Sequence, residues 1–172
     1  MTPVPTFHGV RGVFRPLVID DADALFAAHS DPQVHHYWSG PAHTSREETR
    51  DYLAQTLAMS PHQWALTTDG GECLGRLSLF VHRVGVAEVG VIVRRAAQGR
   101  GITGEALEYV ASHAFADLGI VRLWADVDPD NLASLRLFER HGFVREALLH
   151  NNWSTHIGLR DSVILARFPV EG

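Results

Sequence analysis

The sequence predicts a mixed α/β fold, α+β-like rather than a repeated βαβ array, as one domain over residues 1–172. Three observations predict it. Three apolar-alternating runs, QWALTT, CLGRLSLFVH and AEVGVIVR, follow one another across short Gly-containing turns, as in an antiparallel meander. A single strand-helix-strand unit follows: AEVGVIVR, then Ile102, Ala106, Leu107, Val110, Ala114 and Leu118 at helical spacing to a stop at Gly119, then VRLWADV. Last come a short helix, Asn131 to His141, ended by Gly142, and a hairpin of FVREALLH and Gly158 to Phe168.

The earlier segments fit the same frame. GVFRPLVI reads as a first strand. DDADALFAAHSD reads as a short helix with Asp20 or Asp21 as N-cap and Leu25, Phe26 and Ala28 on its apolar side. PQVHHYWSGPAH is irregular and aromatic. Thr44 or Ser45 caps a second helix, SREETRDYLAQTLAM, with Glu47 and Glu48 in its first turn. No internal repeat or low-complexity segment interrupts the pattern.

Composition narrows the class. The chain has 172 residues, 45% hydrophobic and 20% charged, with a net charge of -5. That is enough chain for a sizeable core, and no basic face marks a nucleic-acid binder. Cys73 is the only cysteine, which excludes an internal disulfide and suits a reducing, cytoplasmic setting; in CLGRLSLFV it reads as a small buried hydrophobe. MTPVPTFHGVRG has no apolar signal core, and no run approaches about 18 apolar residues, so neither a secretory signal nor a membrane span is expected. Every basic residue is arginine, which excludes a P-loop lysine or a Schiff base. No histidine cluster reads as a metal site, and His35-His36 reads as incidental.

QGRGITGEA, Gln98 to Ala106, spells G-x-G-x-x-G at Gly99, Gly101 and Gly104. A dinucleotide fingerprint needs its first glycine tight against the strand end and βαβ units in series. Here Arg94 to Gln98 intervene after Val93, and only one unit is present. The general physics survives: a glycine-rich loop entering a helix exposes N–H groups and a favourable dipole end to a diphosphate, with Arg100 alongside. The alternative is a plain turn before a helix.

A second motif, NLASLRLFERHGF from Asn131, decides the ligand. With QGRGITGEA upstream, the chain resembles the GNAT N-acetyltransferase superfamily. Further stretches, FRPLVIDDADALF, DPQV, SREETRDYL, AEVGVIV and LRDSVILARF, are similar to its ribosomal-protein (RimJ/RimL-like) branch. The resemblance implies a sheet splayed like a V, with acetyl-coenzyme A in the cleft. It implies that main-chain groups of Ile92 and Val93 hold the pantetheine arm and thioester carbonyl. Gln98, Gly99, Arg100, Gly101, Ile102, Thr103 and Gly104 would hold the pyrophosphate, Thr103 standing where the family has Gly or Ala. Asn131 would contact the pantetheine, and Ser134 would lie near the sulfur. Gly90 reads as a bulge or close-approach position in the central strand.

The implied reaction is direct attack of a neutral amine on the thioester, with no covalent enzyme intermediate. Glu88 is the candidate base, through water; the competing reading is a solvated strand-end carboxylate. Many members carry a tyrosine where this chain has Phe138, which cannot donate a proton and reads as packing near the cofactor. Ser134 remains as donor to the sulfur, or as a helix serine bonded to its own backbone. An α-amine of pKa ~8 is roughly 10% neutral at pH 7 and a lysine amine roughly 0.04%, a gap of about 3 kcal/mol, so a weakly defined base suits an α-amine.

His36, Tyr37 and Trp38, and Asn152 in the final hairpin, are expected at the acceptor groove, with core packing the alternative for Tyr37 and Trp38. Arg160-Asp161 reads as a strand-start ion pair. The expected partner is an amine acceptor, a protein N-terminus or a small amine or antibiotic; a homodimer is compatible, and neither nucleic acid nor membrane is expected. The competing classes are a catalytically weak acyl-coenzyme A-binding module and a nucleotide-dependent oxidoreductase.

Overall fold

A computed structural model describes residues 3–170. Its strands are β1 (Phe7–His8), β2 (Val13–Pro16), β3 (Gln63–Thr67), β4 (Gly75–Arg83), β5 (Val86–Val93), β6 (Arg122–Val127), β7 (Val144–Thr155) and β8 (Gly158–Arg167). Its helices are α1 (Ala22–His29), α2 (Arg46–Met59), α3 (Ile102–Ala116) and α4 (Leu132–Arg140). All strands join one sheet in the order β1-β2-β3-β4-β5-β6-β8-β7. Every neighbouring pair is antiparallel except β5 with β6.

That one parallel pair shapes the molecule. β5 and β6 are joined through α3, and they pair only over Val86–Glu88 and Arg122–Trp124. Beyond Glu88 the strands part, while β5 keeps its register with β4 to Val93 and β6 keeps its register with β8 to Val127. The sheet is therefore a V with its apex at Glu88 and Trp124, the splay that the resemblance implies.

The period-two alternation of a strand explains the two faces. Leu77, Leu79, Ala87, Val89 and Val93 point to one side and pack on Ile102, Ala106, Leu107 and Val110 of α3. Phe14, Trp64, Leu123, Leu165, Leu135 and Phe138 complete this main core. On the opposite side Ala65 joins Leu17, Ala22, Leu25, Leu53 and Cys73 in a smaller core beneath α1 and α2. Burying each such leucine contributes about 1.5–3 kcal/mol. Cys73 is sealed in that core, and burial pushes its thiol up to about 12.

Several local expectations are corrected. The first helix is preceded by a 3-10 turn, Ile19–Asp21, because the Asp21 carboxylate is held by Arg15 and by the Val18 N–H instead of capping α1. Ser45, rather than Thr44, caps α2 by accepting from the Glu48 N–H, and Glu48 reaches back to the Thr44 N–H. β1, invisible in the sequence, is a two-residue edge strand. Gly90 lies in regular register opposite Ser78, and the irregularity falls instead between Val81 and Arg83. Close approach does hold at Gly90, where an added Cβ would stand 3.3 Å from Ser78 Oγ. No helix among the described residues is long and apolar enough to cross a membrane.

Candidate active site

The mouth of the V opens into a cleft of about 280 Å³. Its lining comes from both arms. β4 and β5 supply Arg76, Ser78, Phe80, Glu88, Gly90 and Val91, and the other arm supplies Asp126, Asn131, Ser134, Phe138, Trp153 and Arg160. Tyr37, Trp38 and Ser39 close one side.

Glu88 sits at the apex, the last residue of β5 paired to β6. Its carboxylate is 2.7 Å from His82 Nε2, and the His82 ring packs 5.6 Å from that of Trp124. Ser134 is in the first turn of α4; its N–H donates to the Asn131 side chain, which caps the helix. Among the described residues the Ser134 hydroxyl has no hydrogen-bond partner, so the self-bonded alternative is not adopted. Phe138 is buried edge-on to Phe143 at 5.0 Å, with its body in the core and its edge at the cleft.

The glycine loop lies apart from this lining, beyond the Val93 end of β5. A 3-10 turn, Arg95–Ala97, crosses the gap after the strand, and the Gln98 amide donates to the Val93 carbonyl at 3.1 Å. Gly99 and Gly101 both have φ of 76°, a left-handed conformation that favours glycine. Gly101 precedes α3 without a side-chain cap, which leaves the N–H groups of Ile102, Thr103 and Gly104 facing outward from the helix start. Gly104 has a packing reason as well: an added Cβ would stand 2.4 Å from His141 Nε2. Arg11 was missed by the sequence reading. Its guanidinium donates to the Arg100 carbonyl, and its turn is fastened to α3 by Glu105, which accepts from the Val10 and Arg11 N–H groups, each at 2.8 Å. Two exposed arginines, Arg11 and Arg100, thus flank the uncapped helix start.

The alternation of β5 also decides which main-chain groups reach the gap. The Arg94 N–H bonds the Leu74 carbonyl, and the Gly90 carbonyl accepts from Ser78 Oγ, so residues 90, 92 and 94 address β4. The main-chain groups of Val91 and Val93 therefore turn to the open side. Ile92, expected there, turns its own to β4 and buries its side chain.

On the acceptor side, Tyr37 and Trp38 line the cleft, whereas His36 is exposed outside it, edge-on to Tyr37. Tyr37 OH donates to the Asp130 carbonyl, and the His156 N–H to the Ser39 carbonyl, which ties this segment to the other arm. Asn152 is likewise outside the lining, where it braces Asp126 and Ser162; its neighbour Trp153 lines the cleft and donates to Asp126 at 2.8 Å. Arg160 and Asp161 do not pair with each other. Arg160 forks onto Asp128 at 2.7 and 2.8 Å and reaches Asp130, while Asp161 accepts from the Asn151 N–H and His150. Burial alone would raise the Asp128 carboxyl; the Arg160 fork takes it below the ordinary range.

Behind Trp38 a group of histidines, His29, His35 and His43, brings one ring nitrogen each within 4.8 Å of one another. His29 Nδ1 and His35 Nε2 are 3.1 Å apart, and His29 stacks on His43 at 4.7 Å. Burial drives His29 down to about 2 and lowers His35 and His43, so the group is neutral. The Arg76 guanidinium adds to that lowering at His29 and opposes a further cation beside it.

A splayed sheet with a carboxylate at its apex, and a glycine turn running into an uncapped helix, form a cleft suited to a diphosphate-bearing ligand along one strand and a second substrate across the gap. A sequence model described as "Acetyltransferase (GNAT) domain" matches residues 11–144, and the chain belongs to this family. It is 27% identical over 153 residues to "Uncharacterized N-acetyltransferase p20" of Bacillus licheniformis, covering 85% of this chain and 86% of that one. Among solved structures it superposes on ribosomal-protein-S5-alanine acetyltransferase from Vibrio fischeri with a TM-score of 0.78 at 18% identity, covering 97% of this chain and 98% of that one. It superposes on spermidine N-acetyltransferase from Vibrio cholerae, in complex with CoA and spermine, with a TM-score of 0.77 at 17% identity, covering 93% and 96%. The protein is an acetyl-coenzyme A-dependent N-acetyltransferase.

Proposed function

We propose that the enzyme acetylates an α-amine, of the kind found at a protein or peptide N-terminus, by direct attack, with Glu88 as base and Ser134 as proton donor. The observation that carries this reading is the position of Glu88: a carboxylate at the apex of the V, facing the cleft, with Ser134 on the opposite arm of the same cleft. Acetyl-coenzyme A supplies the activated acetyl group as a thioester.

The chain's own groups fit that molecule. The uncapped N–H groups of Ile102, Thr103 and Gly104, the left-handed turns at Gly99 and Gly101 and the flanking Arg11 and Arg100 form a diphosphate cradle. The main-chain edge at Val91 and Val93, which β6 leaves unpaired, offers strand-like pairing to the pantetheine amides, the Val93 carbonyl already accepting from the Gln98 amide, with Asn131 and Phe138 across the gap. Glu88 takes the proton from the amine through water, and His82 fixes the carboxylate. Ser134 holds its hydroxyl toward the departing sulfur. Tyr37, Trp38 and Trp153 wall the acceptor.

The base is a single carboxylate among polar neighbours, which suits an α-amine with its larger neutral fraction better than a lysine. The structural likeness to a ribosomal-protein acetyltransferase supports an N-terminal acceptor; the likeness to a spermidine acetyltransferase supports a small-amine acceptor instead. Thiol release from acetyl-coenzyme A, with peptide N-termini, polyamines and aminoglycosides as acceptors, separates them. Turnover of polyamines but not of peptides overturns the N-terminal reading, and no turnover with any amine favours a binding module.

A further inference from the structure

Arg76 is a buried cation without a counterion. It is the second residue of β4, 3% exposed, on the floor of the cleft. Its partners are all neutral: Thr56 Oγ1, Gln63 Oε1 and Tyr52 OH, each at 2.9 Å, with the Tyr52 ring 5.1 Å from the guanidinium carbon. The other sheltered guanidinium groups are treated differently. Arg15 pairs with Asp21, Arg94 with Glu72, Arg160 with Asp128 and Arg167 with Glu108. Among the described residues no carboxylate lies within 4.0 Å of Arg76. The nearby histidines add no negative charge. A buried charge is ordinarily paired, so an unpaired one facing a cleft marks the place of an anionic ligand.

The seat has a second donor. Tyr52 OH accepts from Arg76 Nη2, and its own proton has no acceptor among the described residues. Three of the five guanidinium N–H groups are used. The seat also faces the acceptor rather than the diphosphate cradle. Arg76, Ser78 and Phe80 share one face, opposite Ile92, Gly90 and Glu88 in register, and that face looks away from α3. The guanidinium leans toward Gln63, which stands opposite Ser78. Arg76 and the row of Glu88 are four residues apart on β4, on the order of 13 Å, and the lean brings the charge closer. The cleft thus runs from carboxylates at Glu88 and Asp126 to a cation at Arg76.

We infer that Arg76 and Tyr52 form an anion subsite and that the acceptor is an amine carrying a carboxylate a few bonds from the reacting nitrogen. This rests on the acetyltransfer reading above. A free amino acid and a peptide with an acidic N-terminal residue share this chemistry. A polyamine lacks it.

The test uses matched acceptors, an amino acid against its carboxamide and a Glu-initiated against a Gln-initiated peptide. The wild type is expected to favour the added carboxylate on the order of 10- to 100-fold in kcat/KM, mostly through KM. The ratio falls toward one in Arg76→Gln and falls partly in Tyr52→Phe, which keeps the cation. Which matched pair shows the preference identifies the source. Thermal shift with coenzyme A verifies that each variant is folded. The same pairs are measured for binding to the coenzyme A complex by calorimetry, so the subsite is judged even without turnover. Equal use of both members, an unchanged ratio in a folded Arg76→Gln, or a loss confined to acetyl-coenzyme A affinity overturns the inference. Absence of turnover with discrimination retained in binding overturns the acetyltransfer reading alone.

Discussion

Glu88 Oε2 and His82 Nε2 meet at 2.7 Å across adjacent strands, at the point where β5 leaves β6. The contact fixes a carboxylate, 30% exposed, that would otherwise sample several rotamers at the mouth of the cleft. If Glu88 accepts the amine proton, Glu88→Gln lowers kcat/KM by about 10²-fold or more with acetyl-coenzyme A binding retained. Wild-type activity across pH in this variant removes the role. His82 acts through Glu88, so His82→Ala lowers kcat several-fold and His82→Gln, which keeps a donor, restores much of it. A purely structural His82 would show no such rescue.

Ser134 is the cleanest separation of chemistry from stability. Its hydroxyl is unbonded among the described residues, while its N–H holds the α4 cap. Ser134→Ala therefore leaves the unfolding free energy within about 0.5 kcal/mol of the wild type, as measured by urea unfolding. It lowers kcat by about 10²-fold if the hydroxyl protonates the leaving sulfur, and leaves the KM for acetyl-coenzyme A nearly unchanged. An intact maximal rate removes Ser134 from the mechanism.

The meander, the one crossover and the closing hairpin were legible because period-two and helical apolar patterns sit between glycine stops such as Gly119 and Gly142. The apex of the V was not legible without the resemblance, since parting strands keep the same alternation as paired ones. Arg76 and Ser78 illustrate the other limit. In CLGRLSLFV they alternate with Leu77 and Leu79, and such a pattern places polar residues away from the core without distinguishing solvent from a polar cleft. Arg11 and His82 lie far in sequence from Arg100 or on a strand of ordinary appearance. Only the β1–β2 turn docking on Glu105, and the pairing of β4 with β5, bring them to the site. Asn152 falls in the irregular stretch between Leu149 and Trp153, where period-two alternation assigns no face.

Gly101 and Gly104 belong to one motif and separate by what limits each. Gly101 has φ of 76° and an added Cβ would stand 3.0 Å from Arg11 Cδ, so Gly101→Ala strains the turn by about 1–2 kcal/mol. If the turn holds the diphosphate as proposed, the KM for acetyl-coenzyme A rises in this variant with kcat less affected; titration of coenzyme A by calorimetry checks it. Gly104 has an ordinary helical position, where alanine gains about 0.8–1 kcal/mol of propensity. The contact with His141 opposes this, because His141 is held by Glu108 at 2.8 Å and Glu108 also binds Arg167. Overpacking of about 1–3 kcal/mol wins, and Gly104→Ala lowers the melting temperature by roughly 2–4 °C per kcal/mol lost.

The buried histidines set the acid limit of stability. Burial first, then Arg76 and the neighbouring histidines, carry His29 from the ordinary 6.5 to about 2, so the folded protein keeps it neutral where the unfolded chain protonates it. His35, His43 and His62 are lowered for the same primary reason. The unfolded state thus binds more protons below pH 6.5, and stability falls as pH falls, by roughly 1.4 kcal/mol per unit for each histidine that stays neutral in the fold. The lowered carboxylates Glu108 and Asp128 add their losses only near and below their ordinary values of 4.5 and 3.8. The window between pH 6.5 and 5 therefore belongs to the histidines. Urea unfolding at pH 7.5, 6.5, 5.5 and 5.0 is expected to show this decline in the wild type. In His29→Leu the protein starts less stable at pH 7.5, having lost the contact with His35, but its slope in that window is shallower by about one proton. An unchanged slope in His29→Leu would show that His29 takes up its proton as readily in the folded protein as in the unfolded chain.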